Sequence, residues 1–455
     1  MRVLEKSDSS VTEGSLARAL TRLAAPMLVG GILQNVQSLI DLFWVGGLGP
    51  EAVAAVAMSG TILMVLFPML MGLSTGTLAL VARSVGAGRM DEAGRATSQS
   101  LILAAVLGVV SGLLGWFLSE SLLRLLRAEP EVARQGGIYL RLTMAGGFTV
   151  FILFIANAAL QGAGDAVTPM WIMAVANIVN IVLAPVFIFG IGPVPALGIA
   201  GAAIAMVAAQ AIAAAISLCV LFSGRTRLHL KWDQWKPDAA MMWRILKIGI
   251  PGSGQMLSRS LVNAVVMLIV AGCGTAAVAG YGTGMRFHMI ILMPAFALGG
   301  AAATMVGQNL GAGNPRRARH AAWLATWIDV VIMAVSAAIM LIFAAPLIRL
   351  FTRNADAEIV AVGVRYLTIV SPFYVFVAFG IVLGRALNGA GDSMSPMVIT
   401  VLTLWGLQVP LAVFLSRVWS PATHGIWWAM ASAFVVQGLW MIARFESGKW
   451  MKTTV

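Results

Sequence analysis

Apolar runs of roughly twenty residues, the length that carries a helix across a bilayer, recur along this chain from end to end. Short polar breaks separate them. None alternates with period two, which excludes a transmembrane barrel. The pattern predicts twelve spans, at about 20–47, 53–82, 97–118, 138–161, 169–190, 199–223, 247–272, 278–308, 321–345, 366–388, 396–417 and 425–445. The fold class is an all-α polytopic membrane protein. The one long connection, "SGRTRLHLKWDQWKPDAAMMWRILK", is basic, rich in Trp and contains Pro237, so it reads as an amphipathic segment on the membrane surface. The expected organisation is an amino-terminal six-helix lobe over 1–223, a cytoplasmic linker over 224–246 and a carboxyl-terminal six-helix lobe over 247–455.

The two halves repeat each other. "LAAPM" with Pro26 matches "IGIPG" with Pro251, "GLGPEAVAA" at 47–55 matches "GCGTAAVAG" at 272–280, and "VGAGRMDEAGRA" at 85–96 matches "LGAGNPRRARHA" at 310–321, all 225 residues apart. "LQGAGDAVTPM" at 160–170 then matches "LNGAGDSMSPM" at 387–397 at an offset of 227. Six spans per half is an even number, so the copies run parallel, related by an axis along the membrane normal. Duplicated bundles of this kind are expected to enclose a cavity and to alternate its access.

Composition agrees with the pattern. Of 455 residues, 60% are hydrophobic and 11% charged, against about 25% charged in soluble domains. The net charge of +12 does not imply nucleic acid, because the basic residues sit at helix ends and in alternate loops, without interleaved aromatics. With the amino terminus inside, inner segments hold twenty Lys and Arg residues, among them Arg2, Lys6, Arg225 and Arg385. Outer segments hold eight, among them Arg353. This bias places both termini in the cytoplasm of a multi-pass protein of the cell (inner) membrane. The polar first twenty or so residues lack the layout of a cleavable signal, so the first span is expected to do the targeting. Two cysteines, Cys219 and Cys273, in apolar context imply neither a disulfide framework nor a metal site.

Only two carboxylates, Asp41 and Asp329, fall well inside spans. A charge there costs about 3 kcal/mol on insertion scales and normally faces an interior cavity. Gln34, Gln37, Ser38 and Asp41 follow at i, i+3, i+4 and i+7, which puts them on one helical face. Such a stripe is unsuited to lipid; an interhelical hydrogen-bond cluster is the plain alternative, and the embedded carboxylate favours an ion-coupling role for Asp41. The fifth span offers a possible partner face: Asn177 and Asn180 lie one turn apart, and Pro185 removes a donor and frees a carbonyl nearby. Packing through small and amide residues would explain that face equally. Asp329 has no amide stripe and is expected to pair structurally with Arg259 or Arg286, the basic residues within spans.

The motifs "P…QNVQSLIDLFWVGGLG", both "GAG…A" loops, both "GAGD…PM" turns, "LGIAGAAIA" at 197–205 and "GIWWAM" at 425–430 resemble the multidrug and toxic compound extrusion (MATE) family. The resemblance spans roughly residues 16 to 450 and looks closest to the archaeal and DinF-like branch. It implies antiport of organic, often cationic, compounds against sodium ions or protons. It points to Asn180 as a neighbour of Asp41, and Tyr139 and Asn157 match positions implicated in the amino-terminal half; read by itself, Tyr139 is an interfacial anchor. Many relatives carry an aspartate where this chain has Ala184, and a threonine where it has Met206. With those oxygens missing, the proton is the expected coupling ion.

Enzyme readings fail. "GLSTG" at 72–76 fits a nucleophile elbow but lies in a continuous apolar helix, with no strand before it. The four histidines have no metal spacing, and no phosphate-binding loop is present. The expectation is a monomeric secondary antiporter without cofactor, exporting organic, cationic amphipathic compounds. The rival is a flippase for a lipid-linked substrate, which would line its cavity with several arginines.

Overall fold

The computed structural model describes residues 11–191, 195–224, 226–352 and 356–453. Arg2, Lys6, Arg225 and Arg353, counted above in the charge bias, lie outside the described residues. The described chain is helical, with no strand among the described residues. The helices are α1 (Leu16–Gly46), α2 (Pro50–Gly86), α3 (Met90–Leu125), α4 (Pro130–Ala145), α5 (Gly147–Gly162), α6 (Val167–Gly190) and α7 (Ile199–Phe222). They continue as α8 (Ala239–Ala271), α9 (Thr275–Gly311), α10 (Pro315–Ile342), the short α11 (Ala344–Phe351), α12 (Ala357–Gly389), α13 (Met394–Val418) and α14 (Ala422–Glu446). Eleven are long and apolar enough to cross a membrane, and α4 with α5, bent by 46°, makes the twelfth.

The helices divide into two compact units, one covering Ala25–Ile250 and the other Val11–Ala24 together with the chain from Pro251 onward. Both divisions fall beside a repeated proline, Pro26 in α1 and Pro251 in α8. Proline removes a backbone donor and crowds the preceding turn, so a helix bends most readily there.

The internal repeat is visible in the backbone. Gly49 and Gly274 share φ 107°, Gly88 and Gly313 have φ 73° and 74°, and Gly164 and Gly391 have φ 92° and 90°. Glycine alone enters this region without strain, which explains the recurrence of "GAG". In both "GAGD" turns the aspartate N–H reaches back to a leucine carbonyl, Asp165 to Leu160 at 2.9 Å and Asp392 to Leu387 at 3.0 Å. Each carboxylate then caps the following helix, Asp165 accepting from the Thr168 N–H and Asp392 from the Ser395 N–H.

Packing follows membrane rather than aqueous rules. Large apolar side chains such as Phe43, Phe117 and Leu125 point outward, where lipid replaces water. Helices meet through small residues, and in α9 every residue from 297 to 309 is buried.

In the first unit, the connection before α8 is tied down rather than loose. The buried Gln99 amide donates to the carbonyls of Gln234 (3.0 Å) and Lys236 (2.9 Å), and its oxygen accepts from the Asp238 N–H at 2.9 Å. Lys231 pairs with Asp91 at 2.8 Å and Arg244 with Glu92 at 3.0 Å. Phe222 stacks against Trp232 and Trp235, and Trp232 stays exposed. Residues 239–246, placed in the linker by sequence, already belong to α8.

In the second unit the amino-terminal stretch is held by α9 and α10. Asn309 donates to the Val11 carbonyl at 3.2 Å, and the Arg317 guanidinium donates to the carbonyls of Glu13 and Gly14 at 2.9 and 3.0 Å.

Candidate functional site

In the first unit, α1 and α6 bring together the residues that the sequence singles out. The Asn180 side-chain amide donates to Asp41 Oδ1 at 2.6 Å, a charge-assisted distance. One turn earlier on α6, Asn177 donates to the Leu33 carbonyl of α1 at 2.7 Å. This second bond fixes the register of the two helices and therefore the position of Asn180. Asn180 is fully buried, and the Oδ1 atoms of Asn157, Asn177 and Asn180 have no hydrogen-bond partner. Asp41 itself is half-buried.

The stripe on α1 is divided by the fold. Gln37 is buried, while Gln34 and Ser38 are exposed, the Ser38 hydroxyl turning back to the Gln34 carbonyl at 3.4 Å. These three are not drawn into the Asp41–Asn180 contact. Tyr139 is buried within electrostatic reach of Asp41. Its hydroxyl lies 3.9 Å from the Met206 sulfur. Ala184 is buried in an apolar cluster with Val45, Ile188 and Ala202. Beyond Pro185, α6 continues as a π-helical turn over Val186–Gly190. The Leu197 N–H donates to the Phe187 carbonyl at 3.0 Å. π-helical turns recur at functional sites because they re-aim the backbone.

In the second unit the expected pairing of Asp329 fails. Asp329 is fully buried on α10, both carboxylate oxygens lack a hydrogen-bond partner, and no ion pair joins it to Arg259 or Arg286 among the described residues. The reason is placement. Arg286 is exposed on α9 with its guanidinium 5.8 Å over the Phe351 ring, and Arg259 lies on α8 one turn from Gln255, which meets Asn388 of α12. Helical spacing alone could not decide which faces of three separate helices meet.

Sequence reasoning missed a polar frame between α8, α12, α13 and α14. Gln255 donates to the Thr400 hydroxyl at 3.2 Å, Gln437 donates to the same hydroxyl at 3.0 Å, and Asn388 donates to Gln255 Oε1 at 3.5 Å. Arg385, counted by sequence with the inner loops, lies within α12, partly buried. His288 is buried on α9 between Tyr374 and Phe434, with Nδ1 unpartnered. The available signal was the presence of Gln255, Asn388, Thr400 and Gln437 in four separate spans of the carboxyl-terminal half. No group of His, Cys, Asp and Glu among the described residues could hold a metal ion.

Two copies of one six-span repeat, with buried polar side chains in both, fit a membrane transporter rather than an enzyme. The MatE family model matches residues 26–186 and 251–414, and the chain belongs to that family. It is 30% identical to the "Probable multidrug resistance protein YpnP" of Bacillus subtilis over 96% of this chain and 97% of that one. It is 29% identical to the "FAD transporter" of Shewanella oneidensis, over 90% of each. Among solved structures, MATE in the bent conformation superposes with a TM-score of 0.90 at 27% identity, over 98% of this chain and 99% of that one. A MOP superfamily transporter from Pyrococcus furiosus gives 0.88 at 27%, over 98% and 100%.

Proposed function

We propose that this multidrug efflux transporter of the MATE family is a secondary antiporter that exports organic amphipathic compounds, cationic ones included, in exchange for protons. The observation that carries this reading is the 2.6 Å contact between Asp41 and Asn180. Asp41 is the titratable member of the pair. Protonation replaces a charge-assisted bond between α1 and α6 with a neutral one, roughly halving its strength. Proton occupancy thereby biases one arrangement of the two helices over another, which is how an ion gradient is linked to access.

A proton needs one titratable group, whereas sodium needs several oxygens to replace its hydration shell. Here Ala184 supplies none, and Tyr139 turns to the Met206 sulfur. The test is efflux of a fluorescent organic cation from proteoliposomes under separately imposed proton and sodium gradients. A proton gradient alone is expected to drive efflux, and added sodium to change it little. Efflux that follows sodium and ignores the proton gradient refutes the coupling assignment.

Both termini are assigned to the cytoplasm of the inner membrane, on the twenty-to-eight bias of basic residues. A cysteine placed at Lys452 should react with an impermeant maleimide only after the cells are permeabilised. Labelling in intact cells would invert the topology.

A further inference from the structure

Arg259 and Arg385 are two partly buried cations of the second unit that no acid neutralises among the described residues. Neither makes a hydrogen bond or an ion pair among the described residues. Asp329 pairs with nothing, and Asp392 is taken by Arg444 at 2.7 Å. The geometry sets the two arginines side by side. Gln255 of α8 meets Asn388 of α12 at 3.5 Å. Arg259 lies one turn beyond Gln255, and Arg385 one turn before Asn388. The two helices run in opposite directions, so both steps lead the same way from that contact. Each guanidinium accordingly lies in the other's field, and Arg259 also acts on His288.

The surroundings hold the pair without satisfying it. The Arg385 stem fills the notch left by Gly299, where a Cβ would stand 2.9 Å from Arg385 Cδ. Its guanidinium lies 5.1 Å over the Phe296 ring, a neutral partner in place of a carboxylate. The amides of the polar frame spend their donors on one another and on Thr400, and Trp405 spends its indole N–H on Ser258 at 3.0 Å. None of these bonds engages the two guanidinium groups, whose donors stay uncommitted among the described residues. Two like charges at membrane depth are costly unless a function retains them. The planar guanidinium fork fits a carboxylate, sulfonate or phosphate.

The internal repeat sharpens the contrast. At an offset of 225, Arg259 corresponds to Gln34 and Asp41 to Val266; at 227, Arg385 corresponds to Ala158. The guanidinium pair of one half thus stands at positions where the other half is neutral, as Asp41 does in its own half.

We propose that Arg259 and Arg385 form an anion-binding subsite that takes the acidic group of an amphipathic substrate, so that the cargo extends to organic acids and zwitterions. This rests on the export reading above. The acidic group can come from a soluble organic acid or from a lipid headgroup.

The experiment uses three congeners with one apolar body: 1-naphthyl phosphate, 1-naphthol and 1-naphthylmethylammonium. Binding to the purified full-length protein in uncharged detergent is read as the ligand-dependent rise in unfolding temperature. The phosphate is expected to bind at least about tenfold tighter than the other two, as bidentate guanidinium pairing would give. Arg259→Gln and Arg385→Gln should each erase that preference. Arg259→Lys and Arg385→Lys, which keep the charge and lose the fork, should keep part of it and serve if a Gln variant fails to fold. Displacement by phosphatidylglycerol but not phosphatidylcholine assigns the subsite to a lipid headgroup; no displacement by either assigns it to soluble acids. Equal binding of the three congeners, or wild-type preference in both Gln variants, overturns the proposal. Asp41→Asn should bind naphthyl phosphate as wild type does while losing coupled efflux, so loss of antiport and loss of anion binding are separate results.

Discussion

Asp41→Asn is expected to reduce gradient-driven efflux to the leak of empty liposomes while leaving the protein folded. The amide preserves the shape of the side chain and can still accept from Asn180, whose donor now stands 2.6 Å from Asp41 Oδ1. What is lost is the charge and its titration. A hydrogen bond to a charged group contributes about 1.5–3 kcal/mol and a neutral one about 0.5–1.5 kcal/mol, so the stability loss should be about 1 kcal/mol. The Asn177–Leu33 bond, one turn away, continues to hold α1 against α6. Asn180→Ala should weaken coupling less, because it removes the partner and keeps the titratable group. The readings are efflux in proteoliposomes and unfolding temperature in detergent. Efflux by Asp41→Asn at the wild-type rate would dismiss Asp41 as the coupling group.

Gly389→Ala is expected to be among the most destabilising single-methyl additions in the chain. A Cβ there would stand 2.6 Å from the Ala303 Cα and in contact with the Ala303 carbonyl. Both obstacles are backbone of α9, in a stretch buried from 297 to 309, so neither can swing aside as a side chain would. Overpacking of this kind costs about 1–3 kcal/mol, and the upper end applies where backbone must move. Its counterpart Gly162 makes the same approach to α2 more loosely, with a Cβ 2.9 Å from the Leu78 carbonyl oxygen. Gly162→Ala should therefore cost less, about 1 kcal/mol. Unfolding temperatures of the two variants should fall in that order. A Gly389→Ala protein that melts with the wild type would show that α9 and α12 can separate without penalty.

The twelve spans were legible because the bilayer imposes a simple rule on sequence. Every backbone polar group in hydrocarbon must be satisfied within its own helix, so an apolar run of sufficient length has one outcome. All twelve sequence spans overlap a helix or the bent α4–α5 pair. The repeat was legible because the turns demand glycine at positive φ, and Gly88 with Gly313, or Gly164 with Gly391, leaves a fixed spacing in the chain. Boundaries were less legible. The helix of the seventh span begins at Ala239 rather than at 247; the added turns include Arg244, a charge that reads as linker by hydropathy and is held by its ion pair with Glu92.

The candidate site was legible to the extent that polarity within one helix reveals it. Asp41 and the Asn177–Asn180 face stand out because burying them costs energy unless something meets them. Their meeting depends on how α1 and α6 are rotated and offset, which the Asn177–Leu33 bond settles. The same limit explains the errors. Asp329 and Arg259 are each buried charges in the sequence, and opposite charges suggest a pair; the helix packing gives Arg259 another cation as its neighbour and leaves Asp329 without a partner. Arg385, three residues before Asn388 near the inner end of a span, reads as a loop charge until Gly299 is seen to make room for its stem.

What the sequence by itself determined is therefore whatever a single helix can express: span length, turn chemistry, duplication and the presence of costly polar groups. Only the tertiary structure decided which of those groups face each other. That choice rests on close approach between helices, set by small residues such as Gly299, Gly162 and Gly389, whose effect lies in the neighbour they admit.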